Sequence, residues 1–146
     1  MEIINRKARY EYNILEELVA GIILQGSEVK SIRAGKCNIS DAYCYIHKNE
    51  LWLKNCHISK YNSDNFTNHE ELRNRKLLLN KQEIRKWNDK SLIPGITIIP
   101  LKIFINQHGL IKVLLGLCKG KKEYDKRESI KEQDSKRELD RVLKNY

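Results

Sequence analysis

The chain has 146 residues, 32% of them charged, and a formal net charge of +9. No apolar run is long enough to cross a bilayer, and the N-terminal MEIINRKARYEY carries charges before any apolar run develops, so neither a membrane span nor a signal peptide is expected. The positive charge favours a polyanionic partner, which makes a soluble cytoplasmic nucleic-acid-binding protein the main expectation and an anionic membrane surface the competing one.

The four cysteines, Cys37, Cys44, Cys56 and Cys118, form no CxxC pair and show no spacing typical of a disulfide framework. Free thiols in a reducing compartment are expected. A zinc site built from Cys44, Cys56 and His57 is an alternative, but close ligand pairs are missing, and small apolar side chains on strands are favoured. We therefore expect no metal and no cofactor.

The first elements in the chain are a long strand and a short helix. β-Branched and apolar residues predict one strand over Tyr12–Leu24, bent or bulged near Ala20–Gly21. Ser27 as the N-cap and Gly35 as the stop then predict a helix over Glu28–Ala34.

The helical spacing of Val29 and Ile32 predicts that this short helix turns both residues towards the core. That orientation leaves Lys30, Arg33 and the nearby Lys36 on its outer side.

A hairpin is predicted next, from Asp41–His47 and Leu51–Ile58 with a turn between them. Its aromatic residues either form a platform on which bases stack or, as we favour, cover a half-buried barrel face. They are Tyr43, Tyr45 and Trp52.

The polar segment Ser59–Arg75 predicts a long loop that ends in a basic cluster of Arg73, Arg75 and Lys76. A short amphipathic helix is expected over Lys81–Lys90.

Two further strands follow, Ile96–Ile105 and Leu110–Cys118, with Pro100 requiring an edge or a bulge and Gly109 suited to the positive φ of the hairpin loop. About six short strands with hairpin connections predict an antiparallel barrel or sandwich, and the isolated early helix favours an oligonucleotide-binding-type barrel. We place this barrel at residues 1–118.

The remaining segment, Lys119–Tyr146, contains ten Lys or Arg and seven Asp or Glu residues. Glu132–Lys136 and Asp140–Lys144 are helix-supporting pairs, whereas Arg127–Lys131 is a like-charge pair at the same spacing. Leu139, Val142, Leu143 and Tyr146 form an apolar stripe at its far end. We expect a tail that is weakly helical or disordered alone and orders on a partner.

No sequence signature of catalysis is present: there is no Gly-rich phosphate loop, no HExxH and no Gly-x-Ser-x-Gly elbow. The four histidines stand without paired acids at useful spacing, and each is expected on a surface or strand face. A binding protein, not an enzyme, is expected.

Several blocks taken together resemble small protein B, the tmRNA-binding (SsrA-binding) protein family of bacteria, in order and spacing. QGSEVKSIRAGK and KGKKEYDKR are the most specific of them. The matching blocks are Asn5–Arg9, Ala20–Ile22, Leu24–Lys36, Asn38–Asp41, Arg75–Leu79, Lys119–Lys122 and Tyr124–Arg127.

The resemblance implies an oligonucleotide-binding-type barrel that grips the tRNA-like part of tmRNA, and a tail that enters the ribosomal decoding centre and empty mRNA channel during trans-translation. A monomer is expected. Residues implied on or behind the RNA face are Asn5, Arg6, Arg9, Leu78 and Lys112, with Gln25, Glu28, Lys30, Arg33 and Lys36 as weaker candidates. Residues implied to face the ribosome are Gly120, Lys121, Lys122, Tyr124, Asp125, Lys126 and Arg127.

Two positions depart from the family pattern or vary within it. Val19 stands where many members have an acidic residue, and Tyr124 where some have His. Glu28 is expected as an internal pairing or helix N-terminal acid more than as an RNA ligand. The alternative function is a generic barrel that binds single-stranded nucleic acid, with the tail as a solubilising appendage.

Overall fold

The computed structural model describes residues 1–61 and 68–121. The strands are β1 (Glu2–Ile4), β2 (Tyr12–Ile22), β3 (Cys37–Asn38), β4 (Tyr43–His47), β5 (Glu50–Lys54), β6 (His57–Ile58), β7 (Arg75–Leu78), β8 (Ile96–Ile105) and β9 (Ile111–Gly120). The helices are α1 (Arg6–Glu11), α2 (Gly26–Arg33) and α3 (Lys81–Ser91).

Six of the strands close into an antiparallel ring. Their order is β8-β4-β5-β7-β2-β9, and β9 pairs back onto β8, while β1 adds to β8 outside the ring. Closure leaves no free edge within the ring, and alternate side chains of each strand fill its interior. The expected oligonucleotide-binding-type barrel of about six strands is confirmed.

Two bulges bend the longest strands. The register of β8 shifts between Pro100 and Lys102, as the proline requires. In β2 the expected bulge near Ala20–Gly21 is wrong, because the register shifts between Ile14 and Glu16 instead. The second half of β2 therefore pairs regularly with β9 as far as Gly21.

The helices cover the barrel at different places. Trp87 of α3 and Ile32 of α2 are buried in the main core, and Ala8 of α1 packs on a smaller cluster outside the ring with Ile99 and Leu101 of β8. The Trp87 indole Nε1 donates to Glu16 Oε2 at 3.0 Å, which joins α3 to β2. The predicted helix over Lys81–Lys90 is confirmed.

Helix α2 begins earlier than the sequence predicts and buries a polar face. Its N-cap is Gln25, not Ser27. The Ser27 hydroxyl instead meets His69 Nδ1 at 2.8 Å, and His69 Nε2 donates to the Ile58 carbonyl at 2.8 Å. Val29 is only partly buried, because the buried face consists of Ser27, Glu28, Ser31 and Ile32.

A buried ion pair holds α2 to the barrel wall. The carboxylate of Glu28 and the guanidinium of Arg75, both with no exposed side-chain surface, are hydrogen-bonded to each other. Arg73 binds the other Glu28 oxygen at 2.5 Å, and the Gln25 backbone N–H donates to it at 2.8 Å. Of the predicted basic cluster of Arg73, Arg75 and Lys76, Arg75 faces inward, whereas Lys76 pairs with Glu50 at 3.3 Å.

Arg75 also holds three backbone carbonyls. Its guanidinium donates to the carbonyl of Cys56 at 2.5 Å and to those of Glu70 and Glu71 at 3.2 Å each. Burial alone would raise the pKa of Glu28, but the hydrogen bonds from Arg73, from the Gln25 backbone and from Arg75 lower it below its ordinary 4.5. Both charges are thus kept in the folded interior.

Replacing Arg75 by Met should lower the free energy of unfolding by about 3–5 kcal/mol, because it leaves a buried carboxylate short of its partner. Urea unfolding at neutral pH measures this loss. The matched control is Arg85→Met on the exposed side of α3, which should change stability by about 0.5 kcal/mol or less. An Arg75→Met variant as stable as the control would contradict the importance of this pair.

Candidate RNA-binding face

One row of outward positions crosses four neighbouring strands. Phe104 of β8 lies opposite Lys112 of β9, Lys112 lies opposite Gly21 of β2, and Gly21 lies opposite Leu78 of β7. We call these four residues the outer row. The strand register therefore brings together Leu78 and Lys112, which are 34 positions apart in the sequence.

Gly21 leaves a gap at the centre of the outer row. A Cβ placed on it would lie 3.3 Å from Leu78 Cβ and 3.7 Å from Lys112 Nζ. The ammonium of Lys112 and the 49%-exposed Leu78 side chain therefore flank bare backbone. A cation beside an exposed aliphatic surface suits a phosphate on one side and a ribose or base on the other.

A groove lies on the outside of the barrel next to this row. It has a volume of about 600 Å³ and lies between α1 and the sheet. Its lining includes Arg6, Arg9 and Tyr10 of α1, Lys102 of β8 and Leu114 of β9. Leu114 pairs with Val19, so the row next to the outer row borders the groove.

The cations of the groove are partly balanced by nearby acids. Lys102 Nζ lies 3.1 Å from Glu2 and 5.3 Å from the centre of the Phe104 ring, and Arg9 lies 3.9 Å from Glu17. These pairs are solvent-exposed and therefore weak, so the cations remain available to an RNA backbone.

Asn5 supports this surface from beneath. It is 4% exposed, and its amide Nδ2 donates to the carbonyls of Pro100 at 3.0 Å and Ile39 at 3.3 Å. The side chain thereby fixes the start of α1 against β8. Arg6 and Arg9 follow on the first turns of that helix and are exposed.

The weaker candidates on α2 separate into surface and interior residues. Gln25, Lys30, Arg33 and Lys36 are exposed, whereas Glu28 is fully buried and pairs with Arg75. Arg33 Nη2 donates to the Gly109 carbonyl at 3.3 Å. This contact joins α2 to the β8–β9 loop, three residues before Lys112.

Val19, the departure from the family pattern, is 53% exposed and points outward on the same side of β2 as Gly21. An acid at this position would stand between Arg9 and Lys112 on the face.

The start of the tail is fixed beside α1. Strand β9 runs to Gly120, two residues beyond the expected end of the barrel, and Gly120 N–H donates to the Gly95 carbonyl at 3.3 Å. The backbone N–H of Lys121 donates to the Glu11 carbonyl at 2.9 Å, and its Nζ donates to that of Arg9 at 2.9 Å. The other predicted ribosome-facing residues, Lys122, Tyr124, Asp125, Lys126 and Arg127, lie outside the described residues.

The hairpin aromatics lie on a half-buried face of the barrel. Tyr43, Tyr45 and Trp52 are each half-buried, Tyr45 lies opposite Trp52, and Tyr43 packs against the cluster under α1. Within residues 1–61 and 68–121 no three His, Cys, Asp or Glu side chains are grouped so that they could hold a metal ion. Over the same residues, no helix is long and apolar enough to cross a membrane.

Sequence reasoning missed Gly21 and Lys102 as parts of the face and Arg75 as an interior residue. A signal for Arg75 was present, because Arg75 and Leu77 share one side of a strand and Leu77 belongs to an apolar run. Gly21 could be found only through its cross-strand partners, which a pattern along one strand does not reveal.

A closed six-stranded barrel with a basic and apolar outer face is the architecture of a small oligonucleotide-binding-type protein. The SmpB protein family model matches residues 2–145, and the chain belongs to this family.

Relatives agree over nearly the whole chain. The SsrA-binding protein of Phocaeicola vulgatus is 50% identical over 140 residues, which cover 96% of this chain and 93% of the relative. That of Ligilactobacillus salivarius is 52% identical over 142 residues, covering 97% and 91%. A solved chain described as "tmRNA-SmpB: a journey to the center of the bacterial ribosome" matches with a TM-score of 0.71 and 42% identity, covering 88% of this chain and 94% of the other.

Proposed function

We propose that this protein binds the tRNA-like part of tmRNA and delivers it to stalled ribosomes for trans-translation. The observation that carries the proposal is the outer row, where Lys112 and Leu78 flank the bare backbone of Gly21. The names of the relatives, SsrA-binding proteins, support tmRNA as the RNA. The protein works in the cytoplasm as a monomeric adaptor and catalyses no reaction.

The chemistry of the face fits folded RNA. Structured RNA is recognised mainly by its shape and by contacts to its phosphates and 2′-hydroxyls. Lysine and arginine make such contacts without reading base edges. Lys112, Arg6, Arg9 and Lys102 offer such contacts along one side of the barrel. Leu78 and Val19 add apolar surface for sugar or unstacked bases.

The division of labour places the barrel at residues 1–118 on tmRNA and residues 119–146 on the ribosome. Gly120 and Lys121 are bonded to Gly95, Glu11 and Arg9, so the tail starts next to the helix that carries Arg6 and Arg9. From this base the tail occupies the decoding centre and the empty mRNA channel, with Gly120–Arg127 as its first contacts.

Charge reversal at Lys112 should weaken binding to the tRNA-like part of tmRNA about tenfold or more and reduce the salt dependence of binding by at least about one counterion. Gel shifts over a salt series measure both effects. Arg85→Glu, the same change in net charge on the exposed side of α3, should bind as the unchanged chain does.

Unstructured RNA of the same length provides the second comparison. We expect the unchanged chain to prefer the tRNA-like RNA. Equal affinity for both RNAs would favour the generic single-strand binder, and unchanged affinity of a folded Lys112→Glu protein would overturn the assignment of Lys112.

Deleting the chain from Lys122 onward should leave tmRNA affinity unchanged and abolish tagging on a stalled ribosome, because the tmRNA face lies wholly within the barrel. Gel shifts and an in vitro translation reaction on an mRNA without a stop codon measure the two activities. Loss of both would refute the division of labour.

A further inference from the structure

Two thiols lie in contact beside the small ladder formed by β3 and β6. Cys37 Sγ and Cys56 Sγ are 3.8 Å apart, with Cys37 in β3 and Cys56 just before β6. Strands β3 and β6 form a separate two-stranded ladder with only two paired positions. Cys37 is half-buried and Cys56 is buried.

The surroundings favour one thiolate in this pair. The hydrogen bond between the two thiols lowers the pKa of Cys56, against its burial, and the charge of Arg75 lowers it further. The same hydrogen bond, together with burial, raises the pKa of Cys37. By contrast, burial raises the pKa of Cys118 to about 11, and Cys44 is also shifted upward by burial. Among these four thiols only Cys56 has a lowered pKa, and its nearest thiol partner is Cys37 at 3.8 Å.

We propose that Cys37 and Cys56 form a reversible two-electron redox couple, in which hydrogen peroxide converts the dithiol into an intramolecular disulfide. The proposal is independent of RNA binding and uses none of the residues of the outer row.

The chemistry balances in two steps. The Cys56 thiolate, its proton released to solvent, attacks a peroxide oxygen; the O–O bond breaks, the released hydroxide takes up a proton to give water, and Cys56 is left as the sulfenic acid. The Cys37 sulfur then attacks the Cys56 sulfenic acid. The S–S bond forms, the S–O bond breaks, and the leaving hydroxide takes the remaining thiol proton to give a second water.

Geometry allows the bond with little rearrangement. The two sulfurs must close from 3.8 Å to about 2.05 Å, a movement that side-chain rotation and the short β3–β6 ladder can supply. The disulfide would tie the end of α2 to Cys56, whose carbonyl already accepts from Arg75. It would close a loop between residues 19 apart in sequence.

The test treats the full chain with hydrogen peroxide under native conditions. We expect loss of about 2 Da in intact mass, loss of two of the four thiols to a thiol reagent, and full recovery with dithiothreitol. Peptide mapping without reduction should find Cys37 linked to Cys56. The oxidised protein should melt about 5 °C or more above the reduced protein, because the cross-link constrains the unfolded chain.

Two variants separate the pair from the other thiols. The Cys37→Ser protein should lose the disulfide, whereas the Cys44→Ala/Cys118→Ala protein should still form it. Peptide mapping of the disulfide on the unchanged chain tests the proposal even if a variant fails to fold. Four thiols left intact, oxygen added to cysteine without the cross-link, or disulfide-linked dimers would each overturn the proposal.

Discussion

The buried pairing of Glu28 with Arg75 ties together parts of the chain that the barrel strands alone would leave separate. Glu28 lies in the first turn of α2, Arg75 begins β7, and Arg75 also binds the carbonyls of Cys56, Glu70 and Glu71. A charge pair without solvent is stable only when its hydrogen-bonding capacity is used, and here Arg73 and the Gln25 backbone complete it. This pair therefore links α2 to the loop before β7, alongside the Ser27–His69 contact and the buried Ile32.

The positions of residues on the candidate RNA face are related to this arrangement. Fixing the start of β7 places Leu78 opposite Gly21, and the regular second half of β2 places Gly21 opposite Lys112. Displacing the pairing by one residue would turn Leu78 and Lys112 towards the interior. Because α2 is held at the end of β2, its exposed cations stand beside the same end of the barrel. The strand register sets the geometry of the outer row, and the interior ion pair supports it at the start of β7.

Much of the fold could be predicted from local pattern. The hairpin of β4 and β5, the helix at Trp87 and the bulge at Pro100 follow from alternation, helical spacing and a missing N–H. The ladder of β3 and β6 could not be found, because two paired positions carry no period. The start of α2 could not be predicted either. Ser27 is a residue type that often caps helices, but its hydroxyl is hydrogen-bonded to His69 instead.

Less of the candidate site than of the fold could be predicted from sequence patterns. Lys112 and Leu78 were named through the family resemblance, and only the register shows why they belong together. Gly21 has no side chain, so the sequence gives no chemical signal of a function at this position. Arg75, which the sequence predicted only as part of a basic cluster, could not be placed in the interior, because a charged residue is buried only with a partner and that partner lies 47 positions away.

The most direct test of the account is a map of the RNA contact on the intact protein. The measurement is the change in backbone amide shifts of isotope-labelled protein on adding the tRNA-like part of tmRNA. The account predicts changes centred on Gly21, Leu78 and Lys112 and extending to Arg6 and Arg9, with α3 unaffected. Changes centred on α3, with the outer row undisturbed, would contradict it.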